Sequence, residues 1–135
     1  MTYRLRIGTH PPAPALLTLV LVLACALALS ACTPSLPSDP PGITGTVTSV
    51  VAGDGRPASM LVEGPSPQPA GALADKAQVA IPPNTMFFDA TGKAASLDAI
   101  AHIGAGTKVR VWFEGAVAES YPIQGSAKAV QLLGK

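Results

Sequence analysis

An apolar run near the N-terminus limits how much of this chain has to fold. The run covers residues 15–31, contains no charged side chain, and follows the basic residues Arg4 and Arg6. Small residues connect its end to Cys32. A positive start, a short hydrophobic stretch and small residues at the cut are typical of a secretory signal peptide. We therefore predict a signal peptide over residues 1–31, which leaves 104 of the 135 residues to form the mature protein.

The four residues before and at the predicted cut, Leu29-Ser30-Ala31-Cys32, resemble a lipobox, the cleavage motif of bacterial lipoproteins. The resemblance implies that Cys32 becomes a lipidated N-terminus. Because one acyl chain binds a membrane only marginally and several bind it stably, it also implies a protein held on the extracytoplasmic side of a bacterial membrane. Thr33 stands where an aspartate would resemble an inner-membrane retention signal, which favours the outer membrane if the cell has one.

Two alternatives to this interpretation stay open. With 17 residues, the apolar run is near the lower length limit for a helix that spans a bilayer, so a retained anchor is the first. A second motif, Val22-Leu23-Ala24-Cys25, offers an earlier cleavage site. It is the poorer one, because the hydrophobic region before it is short and cleavage there would leave residues 26–31 as an apolar stub.

Charge and cysteine content argue against a nucleic-acid-binding protein and against a disulfide-stabilised one. Removal of residues 1–31 takes away Arg4 and Arg6, which leaves seven basic residues against eight acidic ones. The basic residues are scattered, whereas nucleic-acid binding requires a basic stripe. We therefore predict no nucleic-acid partner. Cys25 is lost with the signal and Cys32 is lipidated, so no disulfide is predicted even though the compartment permits one.

Residues 32–41 are predicted to be the lipidated cysteine and a tether. The segment is rich in Pro and Ser and shows no hydrophobic periodicity, which is typical of a linker. In an extended polyproline conformation, at roughly 3.1 Å per residue, residues 33–41 would hold the domain up to about 28 Å from the lipid.

The remainder, residues 42–135, is predicted to form one small β domain. Apolar and polar residues alternate over short segments, as in half-buried strands. In the first segment Val47 and Val51 are predicted to face inward, and Gly53-Asp54-Gly55 then predicts a hairpin turn. The predicted strands are residues 43–51, 58–63, 76–81, 107–114 and 127–133, with pairing continued by residues 85–88 and 116–120.

A short helix is predicted between the third and fourth strands, where Ser96 is an N-cap candidate before residues 97–102. Five strands with one helix in this place is the element order of the oligonucleotide/oligosaccharide-binding (OB) fold. A closed barrel also buries one apolar face per strand and removes the sheet edges. We predict an all-β protein, a small five-stranded OB-like barrel. The alternative is an open antiparallel sheet or sandwich with the helix on one face.

Several segments of this domain carry a recognisable pattern. The most distinctive is Glu119-Ser120-Tyr121-Pro122-Ile123-Gln124, followed after a short gap by Ala127. The others are Gly42-Ile43-Thr44-Gly45, Met60-Leu61-Val62-Glu63-Gly64, residues 106–115 and residues 127–132. Together they resemble a family of small uncharacterised bacterial envelope domains that are often found on lipoproteins. The resemblance implies an OB-like barrel with no assigned activity; the Pro-rich insert at residues 64–71 departs from it.

The mature chain offers few side chains for catalysis. Asp98 and His102 are expected on one helix face, and Ser120 would complete a formal Ser/His/Asp set. A triad is defined by geometry, however, and the helix dipole alone favours Asp98 near the helix start and His102 near its end. One histidine and dispersed acids do not supply the ligands of a zinc site. We predict no enzyme, no metal and no cofactor.

Trp112 and Tyr121 are the candidate binding residues. Trp112 lies among Lys108, Arg110 and Glu114 on the outer face of its strand, and exposed aromatics stack on sugars or partner side chains. The alternative is that Trp112 covers the barrel beside the helix or the Pro-rich loop and that Tyr121 bonds to backbone. Two functions follow: a tethered binding or adaptor module for an envelope protein or glycan, or a structural envelope component without a specific ligand.

Overall fold

The computed structural model describes Gly8 and residues 33–65, 67–68 and 70–135. The predicted signal peptide, the lipobox and Cys32 lie outside these residues. Within the described part of the chain, the elements in order are β1 (Ile43–Ala52), β2 (Pro57–Glu63), β3 (Lys76–Ala80), β4 (Met86–Phe88), α1 (Leu97–Ala101), β5 (Lys108–Ala118) and β6 (Ile123–Gly134).

Strand pairing closes the sheet into a barrel. β1 pairs antiparallel with β2 and with β5, β2 pairs with β3, and β5 pairs with β6. The circle closes between β3 and β6, which run parallel with Ala77 opposite Ile123. β4 extends the sheet by pairing in parallel with β6 from Met86 opposite Ala129. This closed five-stranded barrel with one extra strand has the OB-like order, so the predicted all-β fold is confirmed.

The inward side chains of the barrel strands form one apolar core. Branched residues of moderate size dominate it, which suits the limited interior of a five-stranded barrel. The third strand places Ala77, Val79 and Ile81 in the core, as the alternation predicts. The fully buried members are Ile43, Val47, Met60, Val62, Ala77, Val79, Val109, Val111, Ala127 and Val130. Closure thus removes from water an apolar surface that an open sheet would expose.

A bulge in β1 reverses its alternation, and one prediction is wrong as a result. The register shifts between Val47, which lies opposite Val62, and Ser49, which lies opposite Leu61. An extra residue on one strand moves every later side chain to the other face. Val50 therefore packs against the core. Val51, predicted to face inward, is 60% exposed.

The last two strands are longer than their alternation predicts. β5 continues through Gly115, which has a φ of 69°, to Ala118, so the predicted continuation of pairing is confirmed. β6 begins at Ile123, four residues before the predicted start, because its first residues pair with both β3 and β5. This early part of β6 is the segment that closes the barrel.

The short helix begins directly after Ser96, the predicted N-cap residue. Ser96 has extended backbone angles and its hydroxyl accepts a hydrogen bond from the N–H of Ala99 at 3.2 Å. Ile100 packs against the core, whereas Leu97 is 84% exposed. The five-residue helix thus contacts the core through one partly buried side chain, that of Ile100.

Close backbone approach makes glycine necessary at one position of β1. A Cβ atom on Gly45 would lie 2.6 Å from the carbonyl carbon of Glu63 and 2.8 Å from the nitrogen of Gly64. Both atoms belong to the backbone that leaves β2, so neither can rotate away. Gly45 therefore permits the close passage of β1 beside the end of β2.

Candidate functional site

The outer surface of β2, β3 and the start of β6 presents mostly polar side chains, and we call it the β2–β3 face. Register places Leu61 opposite Gln78 and Gln78 opposite Gln124, so that these three side chains form one row across three strands. Their direction follows from the buried neighbours, because alternate residues of a strand point to opposite sides. The face consists of Ser59, Leu61, Glu63, Lys76, Gln78, Ala80, Gln124 and Ser126.

The central row combines amide groups with an apolar contact. Each glutamine amide offers both donors and an acceptor, which suits hydroxyl and amide groups of a ligand. Gln124 is exposed, and its Nε2 lies 3.4 Å from the hydroxyl of Ser120, to which it donates. Leu61, half-buried beside Gln78, adds an aliphatic surface. The row can therefore bind a neutral polar chain through hydrogen bonds and a small apolar contact.

One end of the β2–β3 face carries an ion pair and an aromatic side chain. The Nζ of Lys76 lies 2.8 Å from Oε1 of Glu63. The hydrogen bond and the charge of Glu63 raise the pKa of Lys76 above its usual value, and the nearby Tyr121 adds to this shift. Lys76 is thus a paired cation. Tyr121, in the loop between β5 and β6, is 74% exposed and stands at the edge of the face.

The β1–β2 hairpin borders the other end of this face. The guanidinium of Arg56 donates to the carbonyls of Pro82 and Pro83, the latter at 3.1 Å, and lies 5.6 Å from the ring centre of Phe87. These contacts attach the hairpin to the segment that follows β3. Beside Arg56 and Ile81 is a hollow of about 380 Å³. A loop therefore flanks the β2–β3 face at each end.

Trp112 is not an exposed aromatic. It lies on the outer face of β5 as predicted, but only 7% of it is exposed. Its indole Nε1–H donates to the main-chain carbonyl of Asp39 at 2.7 Å. The alternative prediction, that Trp112 packs on the outside of the barrel, is closer to the structure. The segment that packs on Trp112, however, is neither the helix nor the Pro-rich loop. It is the predicted tether.

The segment over residues 34–41 lies on the barrel rather than standing away from it. Leu36 packs against a second apolar cluster formed by Phe88, Trp112 and Ala129, with Met86 at its margin. Residues 34–135 accordingly form one compact unit. The part of the outer surface of β4, β5 and β6 around Trp112 is thus covered by the chain that leads into β1.

A groove of about 180 Å³ separates part of this segment from the barrel. Asp39 and Pro40 line one side, and Trp112, Phe113 and Lys128 line the other. Glycines at 42 and 71 also border it, and a Cβ on Gly71 would lie 2.7 Å from the ring of Pro40. The close fit leaves room for water or a very small ligand.

The residues of the formal triad are not brought together. Asp98 and His102 are neighbours on α1, with Oδ1 and Nδ1 3.4 Å apart, and both are exposed. Nδ1 of His102 also lies 2.7 Å from the Asp98 carbonyl. Ser120 lies beyond the far end of β5, where its hydroxyl donates to the Pro122 carbonyl at 2.8 Å. Within the described residues, the ring of His102 contacts Asp98 and the hydroxyl of Ser120 contacts Pro122 and Gln124, so the two side chains do not pair.

The described residues contain neither a metal-binding cluster nor a helix that could cross a bilayer. Among residues 33–65, 67–68 and 70–135, no group of three His, Cys, Asp or Glu side chains is arranged to hold a metal ion. In the same part of the chain, no helix has the length and apolarity needed to cross a bilayer.

Comparison with known proteins gives one match, over part of the chain, to a family of unknown function. The family described as "Protein of unknown function (DUF3221)" matches residues 70–134. The matched part runs from just before β3 to the end of β6, so it includes the closing strand and Tyr121 but leaves out β1 and β2. No curated protein and no solved structure matches the chain. The match confirms the resemblance to a domain of unknown function over these residues, and it carries no information on a lipoprotein or envelope association.

Sequence reasoning selected Tyr121 but missed the row of Leu61, Gln78 and Gln124. Leu61 and Gln78 lie in predicted strands, whereas Gln124 precedes residue 127, the predicted start of the last strand. Their adjacency depends on the parallel pairing of β3 with β6, which joins residues 46 positions apart. The OB-like element order was the one signal that could have placed them together.

Proposed function

We propose that this chain is a lipid-anchored lipoprotein of the bacterial cell envelope, and that its barrel is a non-catalytic binding or adaptor module that uses the β2–β3 face. The lipobox ending at Cys32 and the basic start of the chain support the anchor. Thr33 after the cysteine supports the outer membrane in a cell that has one. The barrel then faces the extracytoplasmic space.

The main observation in support of a binding role is the row formed by Leu61, Gln78 and Gln124. OB-folds bind oligonucleotides and oligosaccharides on their second and third strands, between the loops after strand one and before the last strand. Here the row lies on those strands, with Arg56 in one flanking loop and Tyr121 in the other. The analogy with OB-folds supports the position of the binding site, and the amide and aromatic side chains support the kind of ligand that it binds.

The charge of the face favours a neutral ligand. Lys76 is its one cation, and Glu63 is paired with it at 2.8 Å. A polyanion such as nucleic acid requires several free cations along its path. A glycan or an extended segment of an envelope protein instead needs hydrogen-bonding groups and an aromatic surface, which Gln78, Gln124 and Tyr121 provide. Trp112 is part of the barrel's packing and has no place on this face.

Placement of a photo-crosslinking residue in the anchored protein, in its own cells, tests the binding role. Position 78 and position 121 are the test positions, and position 97 is the control, because Leu97 is exposed on α1 outside the β2–β3 face. We expect the same discrete partner at both test positions and none of it at the control. Gln78→Ala combined with Tyr121→Ala should abolish its recovery by co-purification.

The alternative function is a structural envelope component without a specific ligand. The scattered charges and the absence of a triad geometry among the described residues are what support it. Under this alternative, positions 78, 97 and 121 capture the same abundant neighbours in similar amounts. That result, with unchanged recovery in the double variant, would overturn the binding role.

A further inference from the structure

Residues 34–41 cover Trp112, and we call them the covering segment. They also fix where the chain leaves the barrel toward its N-terminus. Leu36 packs against the cluster that contains Trp112 and Phe88, and a Cβ on Gly92 would lie 2.9 Å from its side chain. The N-terminal end of the covering segment therefore lies beside the turn at residues 89–93. The Trp112 hydrogen bond to Asp39 holds the other end.

Packing of residues 34–41 on the barrel shortens the distance between the barrel and any lipid on Cys32. A fully extended residue spans at most about 3.6 Å, so the four steps from Leu36 back to Cys32 reach no more than roughly 14 Å. The predicted tether, free over residues 33–41, would reach about twice as far. A lipid on Cys32 would consequently keep the turn at residues 89–93 near the membrane surface.

Three cations lie on the side of the barrel where the chain leaves it: Lys93 in the turn at residues 89–93, and Lys108 and Arg110 on β5. Arg110 follows Lys108 at alternate positions on the outer face of β5, and its guanidinium donates to Oε1 of Gln131 at 3.3 Å. The amide of Gln131 in turn donates to the carbonyl of Asp89, at 3.2 Å, in the turn that ends at Lys93. Lys93, Lys108 and Arg110 are all exposed, and we call them the basic surface.

The acidic residues near the basic surface are few. The Asp89 carboxylate accepts hydrogen bonds within its own turn, from the Thr91 hydroxyl at 2.7 Å and from the N–H of Lys93 at 3.0 Å. Asp39 lies at the other end of the covering segment, opposite Lys128 across the groove. Glu114 and Glu119 lie toward the far end of β5. Beside the three cations, the turn at residues 89–93 thus carries one carboxylate, that of Asp89.

We propose that residues 34–41 hold the barrel on the membrane in one orientation, with the basic surface of Lys93, Lys108 and Arg110 against anionic lipid headgroups. The inference rests on the proposed lipid anchor at Cys32. At physiological salt, attraction between charges acts over roughly 8–10 Å, a range that the short reach from Leu36 permits and a free tether would exceed. The orientation directs Tyr121 and the far end of β5 away from the bilayer.

The test uses the mature lipidated protein in vesicles that contain phosphatidylglycerol, with spin-labelled headgroups as the quencher. Ala94→Cys places a fluorophore next to the basic surface, and Ala116→Cys, also exposed, places one toward the far end of β5. Cys32 is blocked by lipid and Cys25 is lost with the signal, so each variant has one free thiol. We expect stronger quenching at position 94 than at position 116.

Two variants separate the effect of the covering segment on the orientation from that of the basic surface. Leu36→Asp should free the covering segment and remove the difference between positions 94 and 116. Lys93→Gln combined with Lys108→Gln should reduce the difference in anionic vesicles to that in phosphatidylcholine alone. Equal quenching at both positions in the lipidated parent, or a difference that survives Leu36→Asp, would overturn the orientation.

Failure of the anchor would be recognised separately. An unlipidated protein lacks the mass of the acyl chains and carries a second labelled thiol at position 32. If the mass shows acyl chains and position 94 is still quenched no more than position 116, the anchor stands and the orientation is wrong.

Discussion

The indole N–H of Trp112 donates to the carbonyl oxygen of Asp39, 73 positions earlier in the chain, at 2.7 Å. Replacement of Trp112 by Phe keeps most of the buried ring and removes the donor. We expect the free energy of unfolding to fall by about 1 kcal/mol, the net contribution of one hydrogen bond. Urea unfolding measures it, and Tyr121→Phe, at a site 74% exposed, should change it by less than about 0.5 kcal/mol. Equal values for both variants would contradict this role.

Cys32→Ser should leave the protein without lipid. Serine cannot form the thioether, so the mature mass should lack the acyl chains and the protein should leave the membrane fraction. Mass spectrometry and fractionation measure both results, and Cys25→Ser is the matched control that should change neither. If Cys32→Ser remains acylated or membrane-bound, the lipobox interpretation is wrong.

Arg56→Lys should weaken the attachment of the β1–β2 hairpin. Lysine cannot reach both proline carbonyls with a planar fork, and it loses the stacking over Phe87. We expect a loss of about 1–2 kcal/mol in the free energy of unfolding. Arg110→Lys is the control, because Arg110 is exposed and donates to one side chain, Gln131. A loss at Arg110 as large as that at Arg56 would count against the proposed contacts.

Gly45→Ala should disturb the join between β1 and β2. The new methyl group would meet the backbone of Glu63 and Gly64 at 2.6 and 2.8 Å, where no side chain can move aside. Overpacking of this kind costs on the order of 1–3 kcal/mol, visible as a lower urea midpoint. Gly104→Ala meets nothing within 4 Å and should leave the midpoint almost unchanged.

Stability should depend on the ionisation of Asp89. Hydrogen bonds from Thr91 and from the backbone of Lys93 lower the pKa of its carboxyl below the ordinary value of 3.8. A lowered pKa in the folded state stabilises the protein above the unfolded pKa, and this stabilisation is lost as pH falls through the folded pKa. Asp89→Ala should thus be less stable than the parent at neutral pH, with a difference that shrinks below about pH 4. Unfolding curves across that range measure it, and a difference that is constant with pH would contradict the prediction.

The elements of the barrel were predictable because each depends on residues close together in sequence. Alternation placed Ala77 and Val79 inward, and the hydroxyl of Ser96 marked the helix start. The inversion at Val51 was not predictable, because the bulge after Val47 is set by the way β1 meets β2. A single extra residue leaves no mark in the composition of the strand.

The covering segment escaped prediction for a different reason. A Pro-rich segment without periodicity offers no repeating apolar face, and Leu36 alone does not indicate a partner. Its place is decided by Phe88, Trp112 and Ala129, which come from three strands far along the chain. The same distance hid the adjacency of Gln78 and Gln124.

The last strand sets the order of events during folding. β6 supplies pairing partners to β3, β4 and β5 at once, so none of these three pairings can form until Ile123–Gly134 is in place. Before that moment the described strands can form only the β1–β2–β3 meander and the β1–β5 pair, with their apolar faces open to water. Folds dominated by such long-range contacts form slowly and expose aggregation-prone surface meanwhile. The open sheet that precedes the pairing of β6 is therefore the stage at which the chain is most prone to aggregate.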